Sequence, residues 1–312
     1  MQPTADDQEE NMNTEQSNYL VISVQGRDQK GVVAKFATYM AAHGLNIEDT
    51  HQQVVRGLFV MDMLVCLDGA TISTAALTQE IQSLGRELGM EVRVANRRQR
   101  QQKRMVILAS REPHCLRELG TRITSGELAA DCIAVLANHN DLQPVAAKFG
   151  LAFEFFPSGH SAEERQRHFS WLAERLSQLR PDLVVLARYM QILPEHIVTA
   201  FENRIINIHP SLLPHFPGAN PYRQAFESGV RVTGCTAHFV TKDLDQGPII
   251  LQDVFHIHVG KDTAADVRER GLTAEANILS RAVEYFINEE IVVANGQVVF
   301  KSGITSFAEP SR

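Results

Sequence analysis

At 312 residues, 44% of them apolar, the chain is long enough for two domains with their own cores, and its formal charge of −7 argues against a nucleic-acid or membrane-surface role. The four cysteines, Cys66, Cys115, Cys132 and Cys235, show no C-x-x-C spacing and read as reduced thiols in a cytoplasmic protein. No apolar run is long enough to span a membrane, so the expected partner is a small molecule.

Residues 1 to 18 lack the basic and apolar regions of a secretory signal and carry Asp6, Asp7, Glu9, Glu10 and Glu15, which predicts a disordered, solvated tail. A first strand follows from Tyr19 to Gln25. Lys30 to His43 repeats apolar residues at Val33, Phe36, Ala37, Met40 and Ala41, a helical stripe that Gly44 closes. Strands over Asn46 to Val55 and Leu58 to Leu67 meet at Arg56-Gly57, a tight hairpin turn. A helix from Ser73 to Leu88 and a strand from Met90 to Val94 complete a βαββαβ order. That order, with Asp28-x-x-Gly31 after the first strand and Gly44-Leu45-Asn46 leading into the second, resembles an ACT-type regulatory domain. In that family such domains pair through their sheets and bind amino acids at the junction. The resemblance implies a ferredoxin-like fold over residues 19 to 96, with Asp28, Gly31 and Asn46 as a ligand loop. It leaves open a sensing role or a purely structural, oligomerising one.

Arg97 to Arg104 is a basic run, expected as a solvated linker. A second domain over residues 105 to 312 then alternates strands (Met105 to Ala109, Cys132 to Ala137, Ala152 to Phe155, Leu183 to Leu186, Ile205 to Ile208) with amphipathic segments such as Ala162 to Leu179. This predicts an α/β, Rossmann-like, mainly parallel sheet. Val230 to Val240 and Ile249 to His258 read as later or antiparallel strands, Ala264 to Asn288 as a long helix, and Ile291 to Ala294 with Gln297 to Phe300 as a hairpin turned by Asn295-Gly296.

The chemistry concentrates where Ile205 to Ile208 ends. Alternation along a strand puts Asn207 and His209 on one side and Ile206 and Ile208 on the other, and ligands of open parallel sheets bind beyond the strands' carboxyl ends. Asp245, in a turn fixed by Gly247 and Pro248, adds a carboxylate to this amide and imidazole. The first βα turn, Ser110-Arg111-Glu112-Pro113-His114, lacks the G-x-G-x-x-G of a dinucleotide site, which argues against a nicotinamide enzyme. His256-x-His258 has no third ligand nearby and reads as ordinary histidines, as does His215; no metal is expected.

The segments Ile206 to Pro214, Gly234 to Val240 and Leu244 to Ile250 resemble the folate-dependent formyltransferase fold. In that family the matching Asn, His and Asp act on a formyl group carried by N10 of tetrahydrofolate. Glycinamide ribonucleotide formyltransferases carry a glycine- and serine-rich first βα turn for the substrate phosphate, whereas Arg111, Glu112 and Pro113 stand here. The ACT-like half, Ser110 to Leu116, Ser125 to Leu128, Ala137-Asn138-His139, Ala187 to Leu193 and Pro217 to Ala225 resemble instead the formyltetrahydrofolate deformylases. Two departures are Pro210 and Leu212, where that family usually has a second histidine and a Phe. A third is Ser158 to Ser161, which lacks its usual Asn and Lys.

The resemblance implies hydrolysis of 10-formyltetrahydrofolate to formate and tetrahydrofolate, supplying formate for purine synthesis and balancing folate pools, with the folate as substrate and no cofactor. Asn207 and His209 would stabilise the oxyanion by N–H donation, and Asp245 would accept a hydrogen bond from the water or from His209. Met190, Ile192 and Leu193 would hold the pterin through backbone groups and apolar contact. His238 and Gly247 would support the site, and Leu213-Pro214 is a candidate cis peptide. Methionine and glycine are the implied effectors and a homo-oligomer the implied assembly. The alternatives are formyl transfer to an amine such as glycinamide ribonucleotide, and an amino-acid and folate sensor without turnover.

Overall fold

The structure, a computed structural model, describes residues 19–96, 102–215 and 220–301. The expected tail, most of the expected linker and part of the Pro217 segment lie outside the described residues. Two compact units meet in sequence between Gln101 and Gln102, with Val299, Phe300 and Lys301 belonging to the first.

In the first unit, β1 (Tyr19–Arg27), β2 (Asn46–Val55), β3 (Leu58–Cys66) and β4 (Met90–Asn96) form an antiparallel sheet in the order β2-β3-β1-β4. Leu20, Ile22 and Val24 alternate inward along β1 and pack with Phe36 and Met40 of α1 (Val32–Ala42) and Leu77 and Ile81 of α2 (Thr74–Glu87). The register separates the residues of the expected ligand loop within one chain. Tyr19 and Asn46 both pair with Cys66, while Arg27 pairs with Leu58. Asn46 therefore lies at the end of the sheet where β1 begins, and Asp28 and Gly31 follow the end where it stops. The length of β1, about 26 Å at 3.3 Å per residue, separates them within one chain, because α1 carries the chain back along the sheet. Asn46 Nδ2 instead donates to Glu48 Oε1 at 2.8 Å, and the Asp28 N–H donates to Gly57 O at 2.8 Å.

The second unit is built on seven strands: β5 (Lys103–Ala109), β6 (Ala130–Ala137), β7 (Phe153–Phe155), β8 (Leu183–Ala187), β9 (Ile205–His209), β10 (Val232–Phe239) and β11 (Ile249–His256), in the order β11-β10-β9-β8-β5-β6-β7. β5 to β9 are mutually parallel, and β10 and β11 join antiparallel at one edge, as the later strands were expected to. Lys103 and Arg104, expected to close the linker, open β5. The Lys103 charge is matched within the unit, Nζ lying 2.6 Å from Glu289 Oε1, while the Arg104 backbone N–H donates to Asp182 Oδ2 at 2.8 Å.

Both sheet faces are covered. Ile107, Ile206 and Ile208 pack with Leu116 and Leu119 of α3 (His114–Thr124) and Ile278 and Leu279 of α8 (Ala264–Ile287). Val106, Leu108, Val184 and Ile205 face Leu172 and Leu176 of α5 (Ala162–Leu179) and Ile197 of α6 (Glu195–Ala200). Between these helices come the short α4 (Gln143–Lys148) and α7 (Pro221–Glu227). A hairpin, β12 (Ile291–Ala294) and β13 (Gln297–Phe300), turns at Asn295 and Gly296, both at positive φ as a two-residue turn requires.

Candidate active site

The site forms at the carboxyl ends of β8 and β9. Ile206 and Ile208 are committed to the α8-side core, so alternation turns Asn207 and His209 to the other side. On the antiparallel neighbour β10, His238 stands directly opposite Asn207, and Asn207 Nδ2 lies 3.2 Å from His238 Nε2. The other ring nitrogen, Nδ1, is 2.9 Å from Phe239 O. A carbonyl only accepts, so Nδ1 carries the proton and Nε2 accepts from the Asn207 amide. Burial pushes the His238 pKa down, which keeps the ring neutral. One Asn207 N–H is thereby fixed and the second is left for the cavity.

Asp245 arrives on the loop between β10 and β11. Gly247 brings that loop tight against β10: a Cβ there would lie 1.7 Å from Phe239 O. The Phe239 N–H also donates to Pro248 O at 2.9 Å, and Asp245 itself takes a φ of 55°. Asp245 Oδ2 consequently lies 3.3 Å from His209 Nδ1. Hydrogen bonding from His209 holds the half-buried carboxyl below the usual aspartate range, against the opposing effect of burial. Asp245 Oδ1 also lies 3.7 Å from His238 Nε2, but that nitrogen carries no proton, so this approach is not an ion pair. His209 is buried, and with Nδ1 facing Asp245 its Nε2 has no hydrogen-bond partner among the described residues. Asn207, His209 and Asp245 thus converge, with His238 and Gly247 supporting them.

A cavity of about 1030 Å³ opens over these residues. One wall carries Met190, Ile192 and Leu193; Met190 is 63% and Ile192 70% exposed, while Leu193 is buried, so two large apolar side chains are presented to the opening. Leu244 to Gln246 also line the cavity, as do Pro210, Leu213 and Pro214, and the Leu213-Pro214 bond is cis. Thr236 ties that loop down: its Oγ1 accepts from the Leu213 N–H at 3.1 Å and donates to Ser211 O at 2.7 Å.

The Met190 backbone donor is already engaged. Its N–H donates to Ser110 Oγ at 2.9 Å, and Ser110 in turn donates to Asn138 Oδ1 at 2.7 Å. The Met190 donor is therefore used inside the protein, and its exposed side chain lines the cavity.

The residues of a second group have no role assigned from sequence. Glu275, fully buried on α8, receives His114 Nε2 at 2.9 Å and lies 3.5 Å from Arg188 Nε. Arg188 takes a φ of 60°, and it lines the cavity together with Glu275 and Tyr222. His114, Cys115 and Glu275 bring atoms of metal-ligand type within 4.8 Å of one another. Arg188 already faces the same carboxylate oxygen, however, and burial pushes the Cys115 thiol well up, so the group suits hydrogen bonding better than a cation. Only distant pairings give this cluster away, with Glu275 lying 161 residues from His114.

A formyl transferase family profile matches residues 103–283, and an ACT domain profile matches residues 18–95. A formyltetrahydrofolate deformylase of Escherichia coli O6:H1 is 36% identical over 272 residues, 87% of this chain and 94% of that protein. The crystal structure of a formyltetrahydrofolate deformylase from Pseudomonas syringae superposes with a TM-score of 0.82 at 30% identity, covering 95% of this chain and 98% of that one. The chain belongs to the formyltetrahydrofolate deformylase family. A glycinamide ribonucleotide transformylase from Symbiobacterium toebii is also similar, at 36% identity and a TM-score of 0.60, but that likeness covers only 64% of this chain. The deformylase likeness takes in most of both units, so the transferase and sensor alternatives are not favoured. Among the described residues no helix is long and apolar enough to cross a membrane.

Proposed function

We propose that the protein hydrolyses 10-formyltetrahydrofolate to formate and tetrahydrofolate, with Asn207, His209 and Asp245 as the catalytic residues. The observation that carries the reading is the convergence of those three side chains at the mouth of an apolar-walled cavity in a chain of the deformylase family.

The free Asn207 N–H faces the developing oxyanion, a kind of donor whose removal costs about 3 kcal/mol elsewhere. Asp245, held anionic, fixes His209 with Nδ1–H turned toward it. His209 Nε2 then takes a proton from the attacking water and passes it to N10 as the C–N bond breaks. An oxyanion role for a His209 ring N–H is thus confined to the protonated ring. The pterin rests on Met190, Ile192 and Leu193, and the folate and water are the only small molecules the reaction requires. The products return tetrahydrofolate to the one-carbon pool and release formate for purine synthesis, in the cytoplasm.

The ACT match supports a sensing role for the first unit, with methionine and glycine as the first effectors to add to the assay. Edge strand β2, with most of its residues exposed, is suited to pairing copies of the chain into a homo-oligomer. For the catalytic reading, Asp245→Asn is expected to keep the fold and folate binding while kcat falls about a hundredfold or more. Near-normal formate release from that variant would refute the assignment.

A further inference from the structure

The cavity has two sides, set by the two faces of the sheet. Met190 to Leu193 lead into α6, where Leu193 packs in the α5 and α6 core. The other side is walled by Arg188, Tyr222, Arg268, Leu272 and Glu275, contributed by the end of β8, by α7 and by α8. Leu186 pairs with Asn207, so two residues further on Arg188 and His209 leave neighbouring strands at the same level.

Polar atoms on this second side are buried with hydrogen-bonding capacity unfilled, although Arg188 Nε and the Tyr222 hydroxyl both approach the Glu275 carboxylate. Among the described residues, five buried side-chain polar atoms lack a hydrogen bond: His209 Nε2 and, in this one cluster, His114 Nδ1, Arg188 Nε, Tyr222 Oη and Glu275 Oε1. Such atoms are costly to bury, and a buried ion pair does little for stability by itself. Arg188 also holds a left-handed backbone, a strain that tends to persist where a site needs it.

The chemistry of the cluster selects its occupant. Arg188 Nε–H donates, and Tyr222 remains an O–H because burial and the nearby Glu275 carboxylate push its pKa up. Glu275 Oε1 accepts, and His114, having given Nε2–H to Oε2, has Nδ1 for a further partner. An anion would meet Glu275 and a cation would meet Arg188. Arg223 and Arg268 at the rim already face Glu227 and Glu112, each at 2.7 Å, so they offer no unpaired charge to a phosphorylated acceptor. A neutral molecule that donates and accepts at once meets every atom, and the reaction's own second substrate is such a molecule.

We propose that this side of the cavity is the water subsite: Arg188, Tyr222, Glu275 and His114 hold ordered water and present one molecule to the formyl carbon. The inference rests on the hydrolytic reading above. In the step itself the water oxygen bonds to the formyl carbon, its proton passes to His209 Nε2, and the C–N10 bond breaks as N10 receives that proton. Tyr222 is then a positioning residue, acting through water.

The test is Tyr222→Phe in the full chain, with formate and tetrahydrofolate release measured beside wild type. Expected are a kcat lowered about tenfold, an unchanged KM for 10-formyltetrahydrofolate and an unchanged Tm. A hydroxyl that serves only structure, through the Glu275 carboxylate, would lower Tm and leave kcat unchanged. An unchanged kcat, or a change confined to KM, overturns the water subsite. If Tyr222→Phe fails to fold, Arg188→Lys, which keeps the charge and removes Nε–H, carries the same expectation. Wild type releasing no formate would instead refute the hydrolytic reading.

Discussion

Asn207 has one amide N–H to spare because the other is committed to His238, and His238 accepts it because its own proton is committed to Phe239 O. This chain depends on a neutral His238. The same holds for buried His168, whose Nδ1 lies 2.8 Å from Phe156 O and whose Nε2 contacts the Tyr189 hydroxyl. Burial lowers both histidine pKa values from 6.5. As pH falls below 6.5 the unfolded chain takes up protons that the native rings refuse, so stability is lost progressively down to the folded pKa values. The Tm is accordingly expected to fall between about pH 7 and pH 5, and a flat profile over that range would contradict the assignment of neutral rings. Asp245 acts in a different window: its stabilisation is present above 3.8, the ordinary aspartate value, and is lost as pH drops through its depressed folded pKa. Asn207, His209 and Asp245 were legible in the sequence because strand alternation and a glycine-proline turn are local signals. The use of the Met190 N–H was not, because its acceptor, Ser110, is 80 residues away.

At the scale of elements, the loop from β10 to β11 aims Asp245, and Gly247 sets its closeness to the sheet. Adding a methyl group 1.7 Å from Phe239 O forces the backbone apart. Gly247→Ala is expected to cost about 1–3 kcal/mol of stability and to lower kcat by withdrawing Asp245 from His209. Urea unfolding and formate release check the two effects, and a variant with wild-type stability and turnover would refute the close-approach role. Local pattern sufficed for β2, for α5 with its Ser161 and Glu164 capping box, and for the Asn295-Gly296 hairpin. It failed at Lys103 and Arg104, which look like linker until Glu289 and Asp182 arrive from distant elements. For Asp28 and Asn46 the motif is local, but which end of the sheet each residue occupies depends on the register of β3.

At the scale of the molecule, a folate-processing α/β unit is carried on the same chain as an ACT unit, and the deformylase relatives match across both. The fold class was readable because strands alternating with amphipathic helices leave few topologies. The proposed water subsite draws on side chains from β8, α7 and α8 that meet only in the folded unit. The most direct test supplies purified protein with 10-formyltetrahydrofolate, with and without glycinamide ribonucleotide, and measures formate, tetrahydrofolate and formylated amine. Equal formate and tetrahydrofolate in both reactions, with no formylated amine, is the expected result. Formyl transfer to the amine, with no formate when the amine is left out, would contradict it.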